Sequence, residues 1–576
     1  MRISRLIINN FRGIKTGKLY FSDHVVLIGD NNVGKSTIFE ALDLTLGPDR
    51  ANRNPVVDEH DFYNGKYISN DNETKNPEID IEVVITDLSI DQQSHFNDYI
   101  EWWNEDENDL HTSPPPKSID KTNIVAALRV SFIGKYEEED DDFVGATYFT
   151  RTIEENDRPQ SFSKKDKQKC GFLYLRTLRT GSRALSLEKG SLLDIILRLK
   201  EVRPQMWEKT IAELNQFKVA ADPELGISEI LESIETAIKK FVPKEWGITP
   251  HLKVSNLTRE HLRKIITAFI ATGSGEHSAP FYRQGTGTIN ILVLAMLSQI
   301  AEEKQNVIFA MEEPEIAIPP YTQKHIIHEI KKLSSQSLFS THSPYVIEEF
   351  DISQTVVLSR DDNGILNQSK VQLPDGIKLK TYRQEFRQRF SEGLLARRII
   401  IAEGQTETTS LPAVARRLSE LNPTKYSSLE SLGVCIIDAG SESKIVAFAK
   451  LYKNLGKRVF ALCDMQSEED KNSIEDNVEK LFMHSEKGFE NLVLKNTTTD
   501  AMERYCELID WPSHLSKKYP NPKDDLQNAL LEYFLWAKGN WGIADFLSQC
   551  QESEIPKWLQ NVCIEIKKLY ESSPQI

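Results

Sequence analysis

The sequence predicts an α/β protein of more than one domain. Three observations carry that reading. A glycine-rich segment lies between an apolar run and a helical pattern near the amino end. Three apolar runs, one mid-chain and two late, stop at carboxylates. After Arg397, short apolar runs alternate with helical patterns, which implies a parallel sheet.

Residues 2–28 read as two strands around the break Asn10-Phe11-Arg12-Gly13, and Val25-Val26-Leu27-Ile28 reads as a buried strand. Next comes Gly29-Asp30-Asn31-Asn32-Val33-Gly34-Lys35-Ser36-Thr37, a match to G-x-x-x-x-G-K-[ST]. Helical spacing follows through Ile38, Phe39, Ala41 and Leu42. Each part has a physical task. Gly29 and Gly34 let the backbone curl, with Asn32 between them, so that N–H groups point at phosphate oxygens. The helix start adds its positive end. Lys35 reaches the β- and γ-phosphates of a nucleotide, and the Ser36 hydroxyl, next to Thr37, ligates Mg²⁺.

Ile79, Ile81, Val83 and Ile85 alternate and predict a half-buried strand. Residues 99–125 carry acid and Pro114-Pro115-Pro116 and read as an exposed loop. Between 162 and 183 the charge reverses: Lys164, Lys165, Lys167, Lys169, Arg176, Arg179 and Arg183 face one acid, Asp166. This stretch reads as a solvated helix face or a DNA contact. Residues 186–270 show helical apolar spacing, as in Ile227, Ile230, Leu231, Ile234 and Ile238, and read as a helical insertion with a protein-facing stripe. Arg283-Gln284-Gly285-Thr286-Gly287 opens a long apolar helix. The apolar run Val307–Met311 then closes on Glu312 and Glu313. In a nucleotide hydrolase the first carboxylate joins the Mg²⁺ shell and the second polarises the attacking water. On a strand, neighbours face opposite ways, so the two need not share a task. A further strand ends at Ser340-Thr341-His342-Ser343-Pro344.

In the late α/β pattern, Ile399–Ala402 runs into Glu403-Gly404 and Val459–Cys463 runs into Asp464. Ligands of parallel sheets sit at such carboxyl ends. Glu407 lies one helical turn after Glu403. Gathered carboxylates of this kind hold Mg²⁺ or Mn²⁺.

At 576 residues the chain exceeds a single core. A net charge of −16, from 70 basic and 86 acidic side chains, argues against a uniformly nucleic-acid-coating surface but leaves room for a local groove. The acidic runs 137–142 and 101–109 read as solvated loops. Six cysteines lack CxxC spacing, so neither a zinc site nor a disulfide framework is expected. No stretch approaches the ~20 apolar residues of a membrane span. Met1-Arg2-Ile3-Ser4 enters a strand directly, so no signal peptide, no membrane partner and a cytoplasmic location are expected.

These motifs together resemble two known domains. The front resembles an ATP-binding-cassette (ABC) ATPase of DNA-repair and chromosome-organising proteins. The resemblance implies that ATP binds Gly29–Thr37, that Gly285 and Gly287 belong to the signature motif, and that Glu312 and Glu313 hold metal and catalytic roles. It also implies that His342 senses the γ-phosphate. The rear resembles a Toprim domain, which implies a Mg²⁺ or Mn²⁺ site on Glu403, Glu407 and Asp464. The family pattern Asp-x-Asp is Asp464-Met465-Gln466 here. Glu468, Glu469 or Asp470 could compensate for the missing charge, Glu490 is the best further acid, and Lys538 would stabilise phosphate charge.

This layout is similar to the overcoming-lysogenization-defect (OLD) family, whose relatives include the Gabija nuclease subunit and retron-associated nucleases. The resemblance implies a metal-dependent DNA endonuclease or nickase controlled by an ATPase module, in anti-phage defence. It implies a homodimer or higher homo-oligomer, with a helicase or a retron as further partner. The expected division is 1–180 and 271–390 for the ATPase, 181–270 for the dimerisation insertion and 391–576 for Toprim. Two other classes stay open: a DNA-bound, ATP-dependent sensor or scaffold with an inactive Toprim site, and an ATP-driven clamp. The clamp is disfavoured by the absence of long heptad runs.

Overall fold

The computed structural model describes residues 1–48, 56–69, 75–112, 114, 123–155, 158–175, 187, 191–199, 203–216, 227–240, 258–271, 278–303, 307–316, 319–373, 387–537 and 541–571. The chain divides into two units that do not follow sequence order. The first holds Met1–Asn10, Tyr20–His24 and Ile38–Phe339, and the second holds Phe11–Leu19, Val25–Thr37 and Ser340–Ile576. The strands of the amino half are β1 (Arg2–Phe11), β2 (Ile14–Tyr20), β3 (His24–Gly29), β4 (Ile79–Thr86), β5 (Ile100–Asn104), β6 (Asp109–His111), β7 (Ile124–Glu137), β8 (Asp142–Phe149) and β9 (Phe172–Leu175). The remainder are β10 (Phe269–Ala271), β11 (Ser278–Pro280), β12 (Ile308–Glu312), β13 (Gln336–Ser340), β14 (Thr355–Arg360), β15 (Ile365–Lys370), β16 (Arg398–Ala402), β17 (Val434–Asp438), β18 (Arg458–Cys463) and β19 (Lys480–Met483).

In the first unit an antiparallel run orders β6-β5-β7-β4-β1, with β8 on β7. The alternation in β1 and β4 is what pairs them: Leu6 faces Val83 and Ile8 faces Ile81, all fully buried. Cross-strand partners share a face, so this register builds one apolar layer.

Two sequence expectations fail here for the same reason. Residues 99–125 are not simply a loop, because β5 and β6 form a hairpin joined to β7. Trp103 is 1% exposed, covered by Val84 and Ala127, which lie far off in sequence. Nor is the acidic run 101–109 simply solvated. Glu101 Oε1 lies 2.9 Å from Arg129 Nη2, whose other partners are Glu154 and Glu82. Burial alone would lower the Arg129 pKa; the hydrogen bonds to Glu154 and Glu101 outweigh it and raise it. Asp109 pairs with Arg5 at 2.6 Å.

The basic stretch also departs from a solvated face. Its helix Lys164–Cys170 is capped by Ser163, whose hydroxyl accepts the Asp166 N–H. Lys167, in the middle, is 4% exposed and donates to the Leu44 carbonyl at 2.8 Å. Burial pushes its pKa down to about 8. Residues 176–183 of that stretch lie outside the described residues. In the insertion, Leu187, Trp207 and Leu262 form a small core, while Ile230 and Ile234 of the helix Ile227–Ile238 stay 59% and 43% exposed. β9 and β12 pair in parallel, Leu175 beside Met311.

In the second unit, β14 and β15 form the hairpin expected at Asp361–Gly364, β14 runs parallel to β3, and β15 runs parallel to β2. The rear sheet orders β17-β16-β18-β19, all parallel. Ile400, Phe460, Leu462 and Phe482 of its strands pack with Leu411, Val414, Leu492, Phe534, Phe546, Leu559 and Ile566 from surrounding helices. All six cysteines are free thiols. No helix among the described residues is long and apolar enough to cross a membrane.

Lys167→Ala, which leaves the Leu44 carbonyl only the long 3.5 Å hydrogen bond from Thr147 Oγ1, is expected to cost about 1–3 kcal/mol. Lys164→Ala should stay within about 0.5 kcal/mol of wild type. Urea unfolding of the two variants checks this, and equal midpoints would contradict it.

Candidate active sites

β3 ends at Gly29 and the helix Lys35–Leu46 begins six residues later. The backbone between them curls through positive φ at Gly29 (157°), Asn32 (65°) and Gly34 (116°). A Cβ at Gly29 would stand 2.6 Å from the Leu358 carbonyl oxygen, so glycine is required there for space as well as conformation. Lys35 is 8% exposed and folds back over the loop, its Nζ donating to the carbonyls of Gly29 (2.8 Å) and Asp30 (2.9 Å). A phosphate would compete with those carbonyls for the ammonium. Ser36 is exposed beside it and Thr37 is half-buried. His342 lies two residues past β13 and is exposed, following Thr341, whose hydroxyl accepts the Ser343 N–H at 2.9 Å.

In the first unit, Glu312 closes β12, is 8% exposed, and accepts the Tyr174 hydroxyl at 2.6 Å. The Tyr174 ring lies 6.0 Å from Phe39, one turn beyond Ser36 in the same helix. Glu313 does not continue the strand as expected: its φ is 45°, a left-handed backbone that a non-glycine residue takes at a cost of about 1–2 kcal/mol. Strain of this kind concentrates at functional positions. Gly285 is exposed, has open space around it, and precedes the helix Thr286–Glu303, whose second residue is Gly287. Gln284 pins that turn to the β10–β11 hairpin through the Ile270 and Ala279 carbonyls.

At the rear, parallel pairing aligns the strand ends, so Glu403 and Asp464 emerge side by side. The Glu403 N–H donates to Leu462 O, and Glu403 Oε2 accepts the Asp464 N–H at 3.4 Å. Gln466 Nε2 reaches Glu403 Oε2 at 3.4 Å and Asp464 Oδ1 at 3.2 Å. Its amide therefore lies between the two carboxylates. Asp464 Oδ2 accepts the Gly488 N–H at 3.0 Å. Glu407 and Glu490 are 8% and 5% exposed, and Glu490 Oε1 accepts from Thr406 at 3.5 Å. Positions 404 and 488 are tight: a Cβ would meet Glu407 Oε2 at 3.3 Å and Glu490 Oε2 at 3.2 Å. Burial, then the Asp464 charge, then Glu407, push the Glu403 pKa up to about 7.

Among the described residues, no three His, Cys, Asp or Glu side chains are gathered so as to hold a metal by themselves. The donors that do converge are two carboxylates and an amide. Gln466 Oε1 is buried and without a hydrogen-bond partner. The amide turns its Nε2 to the two acids and leaves its Oε1 unsatisfied. Two crowded carboxylates with an amide oxygen on the same side chain as that Nε2 are hard oxygen donors that suit a hard cation once the amide turns over, so the donor set fits one. Glu468 is not drawn in: its side chain is 85% exposed beside Lys471, at the first turn of the helix Glu468–Glu475. Lys538 lies outside the described residues.

Sequence reasoning missed the bridging role of Gln466, the Gly488 N–H on Asp464 and the Tyr174 hydroxyl on Glu312. A glycine directly before the helix Phe489–Asn496 was a visible signal for the second; nothing in Phe172–Leu175 marks Tyr174. It also passed over Asp438, which ends β17. That acid is already neutralised by Arg389 at 2.7 Å and the Gly440 N–H at 2.7 Å, and so stands apart from the pair.

A family profile described as an AAA ATPase domain matches residues 1–347, and one described as an overcoming lysogenization defect protein-like Toprim domain matches 394–465. The chain is similar to the Old nuclease of Escherichia phage P2, with 21% identity over 81% of this chain and 78% of that protein. Among solved structures it is similar to the C-terminal region of the Xanthomonas campestris pv. campestris OLD protein (17% identity, TM-score 0.24, 31% of this chain and 96% of that one). It is also similar to the SMC head domain from Thermotoga maritima (12% identity, TM-score 0.30, 65% of this chain and 100% of that one). With an AAA-type ATPase domain in front and an OLD-like Toprim domain behind it, the chain belongs to the OLD family.

Proposed function

We propose that this OLD-family nuclease is a metal-dependent DNA endonuclease or nickase, that ATP at its front domain governs cutting, and that it serves anti-phage defence. The observation that carries the reading is the crowding at Glu403: two carboxylates share one strand-end pocket with an unsatisfied amide oxygen. Like charges so placed are stabilised by a cation. Glu403, Asp464 and Gln466 Oε1 would hold Mg²⁺ or Mn²⁺, with Glu407 and Glu490 adjoining. When bound, the ion would activate water and stabilise the leaving oxygen of a phosphodiester.

The chain's own residues orient that chemistry. The Gly488 N–H fixes one Asp464 oxygen, leaving Oδ1 toward Gln466. At the front, Lys35 and the loop amides hold ATP phosphates and Ser36 with Glu312 supports its Mg²⁺. Glu313 acts on the attacking water, His342 on the γ-phosphate, and Gly285 and Gly287 on the nucleotide from the signature side. The ATPase is apportioned to 1–180 and 271–390, the insertion to 181–270 and Toprim to 391–576. The outward Ile230 and Ile234 support a homodimer through the insertion. The compartment is the reducing cytoplasm, and a helicase or a retron is the further partner class.

One observation favours a second reading, a DNA-bound scaffold with a silent Toprim site: the Gln466 amide already neutralises part of the crowding by donating to both acids. Plasmid left intact at every Mg²⁺, Mn²⁺ and nucleotide concentration would select it.

Under the nuclease reading, Glu403→Gln should lower plasmid cutting by about 100-fold or more, with ATP binding intact. Lys35→Ala should instead abolish ATP binding in a filter or fluorescence titration; unchanged affinity would remove the phosphate-loop assignment. Gln466→Asp adds a third charged ligand and should tighten Mn²⁺ binding by about 10-fold, read by calorimetry. Equal affinity in that variant would show that position 466 does not face the ion.

A further inference from the structure

The phosphate loop touches the rear sheet through its second residue. Asp30 Oδ2 lies 2.8 Å from Arg397 Nε. Arg397 immediately precedes β16, and its carbonyl accepts the N–H of Arg458, the first residue of β18, at 3.1 Å. Lys457, just before Arg458, is largely buried, which lowers its pKa; Asp30 and Arg397 are the charges that act on it. One loop carboxylate thus faces two cations at the amino ends of the two central strands. The opposite ends of those same strands deliver Glu403 and Asp464. Between the two ends β16 and β18 pair without a break, over a span of about 17–20 Å.

Asp30 is also held from the other side. Its backbone carbonyl accepts Lys35 Nζ at 2.9 Å. A nucleotide phosphate draws the same ammonium away, so occupancy of the loop releases the Asp30 main chain while its carboxylate stays on Arg397. The pair itself is half exposed, at 38% for Asp30 and 47% for Arg397. An exposed ion pair adds little to stability. Its placement therefore matters more than its strength.

We propose that Arg397 is a positioning residue that transmits phosphate-loop occupancy from Asp30 through β16 and β18 to the Glu403–Asp464 pair. This rests on the reading of the chain as a nuclease governed by ATP. Coupling of this kind is a free energy between two sites and acts in both directions.

The test is a double-mutant cycle on the full chain: wild type, Asp30→Asn, Arg397→Gln, and the two combined. Two readouts are taken with and without ATP, namely plasmid cutting in Mn²⁺ and hydrogen exchange of the peptides covering 398–404 and 458–466. Wild type should change in both when ATP is added. Arg397→Gln should keep its nucleotide-free cutting rate within about twofold and bind ATP as wild type does in a fluorescence titration, and each single variant should lose the ATP-induced change in both readouts. The combined variant should lose no more than either single one, because one contact cannot be removed twice, and Arg397→Lys should keep most of the response. Single variants that respond to ATP as wild type does, or losses that add in the combined variant, would overturn the proposal. A wild-type chain indifferent to ATP in both readouts would defeat the nucleotide-control reading itself, and this coupling with it.

Discussion

The rear site depends on one constraint: two parallel strands end together, and both end in an acid. Register leaves no freedom, since Ala402 is level with Leu462, and Glu403 and Asp464 follow within two residues of that pairing. Burial first, and then the Asp464 charge, raise the Glu403 pKa to about 7. Everything near the pair answers the repulsion between the two acids. Gly488 turns its N–H on Asp464, the Gln466 amide wedges between the acids, and Asp438 on the next strand is diverted to Arg389. A protein selected only for stability would gain by replacing one of these acids; keeping both fits a pocket arranged for a cation.

The front site is built from backbone instead of charge. Positive φ at Gly29, Asn32 and Gly34 shapes the loop, and the Leu358 carbonyl denies Gly29 any side chain. Lys35 donates to the loop's own carbonyls, so a phosphate bound here would have to compete with them for the ammonium. In the first unit, Glu313 takes a left-handed backbone just past the end of β12, where it is a non-glycine residue and so strained. The two candidate sites therefore use different physics, and the Asp30–Arg397 contact joins the loop of one to the residue that precedes β16 in the other.

What could be read from the sequence was local. The phosphate loop, the turn at Asp361–Gly364 and the strands that end in Glu312, Glu403 and Asp464 depend on neighbours within about ten residues, and their patterns declare themselves. The misreadings all involve partners distant in sequence. Trp103 makes a strand of an acidic segment because Val84 and Ala127 cover it. Lys167 leaves the solvent because Leu44 offers a carbonyl. Glu101 is neutralised by Arg129, twenty-eight residues away. At the rear site the acids were legible, whereas the bridging geometry of Gln466 was not, because no spacing rule says which way an amide turns.

If the crowded Glu403–Asp464 pair is a cation site, the entering ion displaces the proton that Glu403, with its raised pKa, carries part of the time near pH 7. Calorimetry of Mn²⁺ binding at pH 7, run in two buffers of different ionisation enthalpy, measures protons released directly. With the Glu403 pKa at about 7, the account predicts release of about half a proton per bound ion, lost in Glu403→Gln. Mn²⁺ that fails to bind, or that binds wild type and Glu403→Gln with the same proton count, would contradict it.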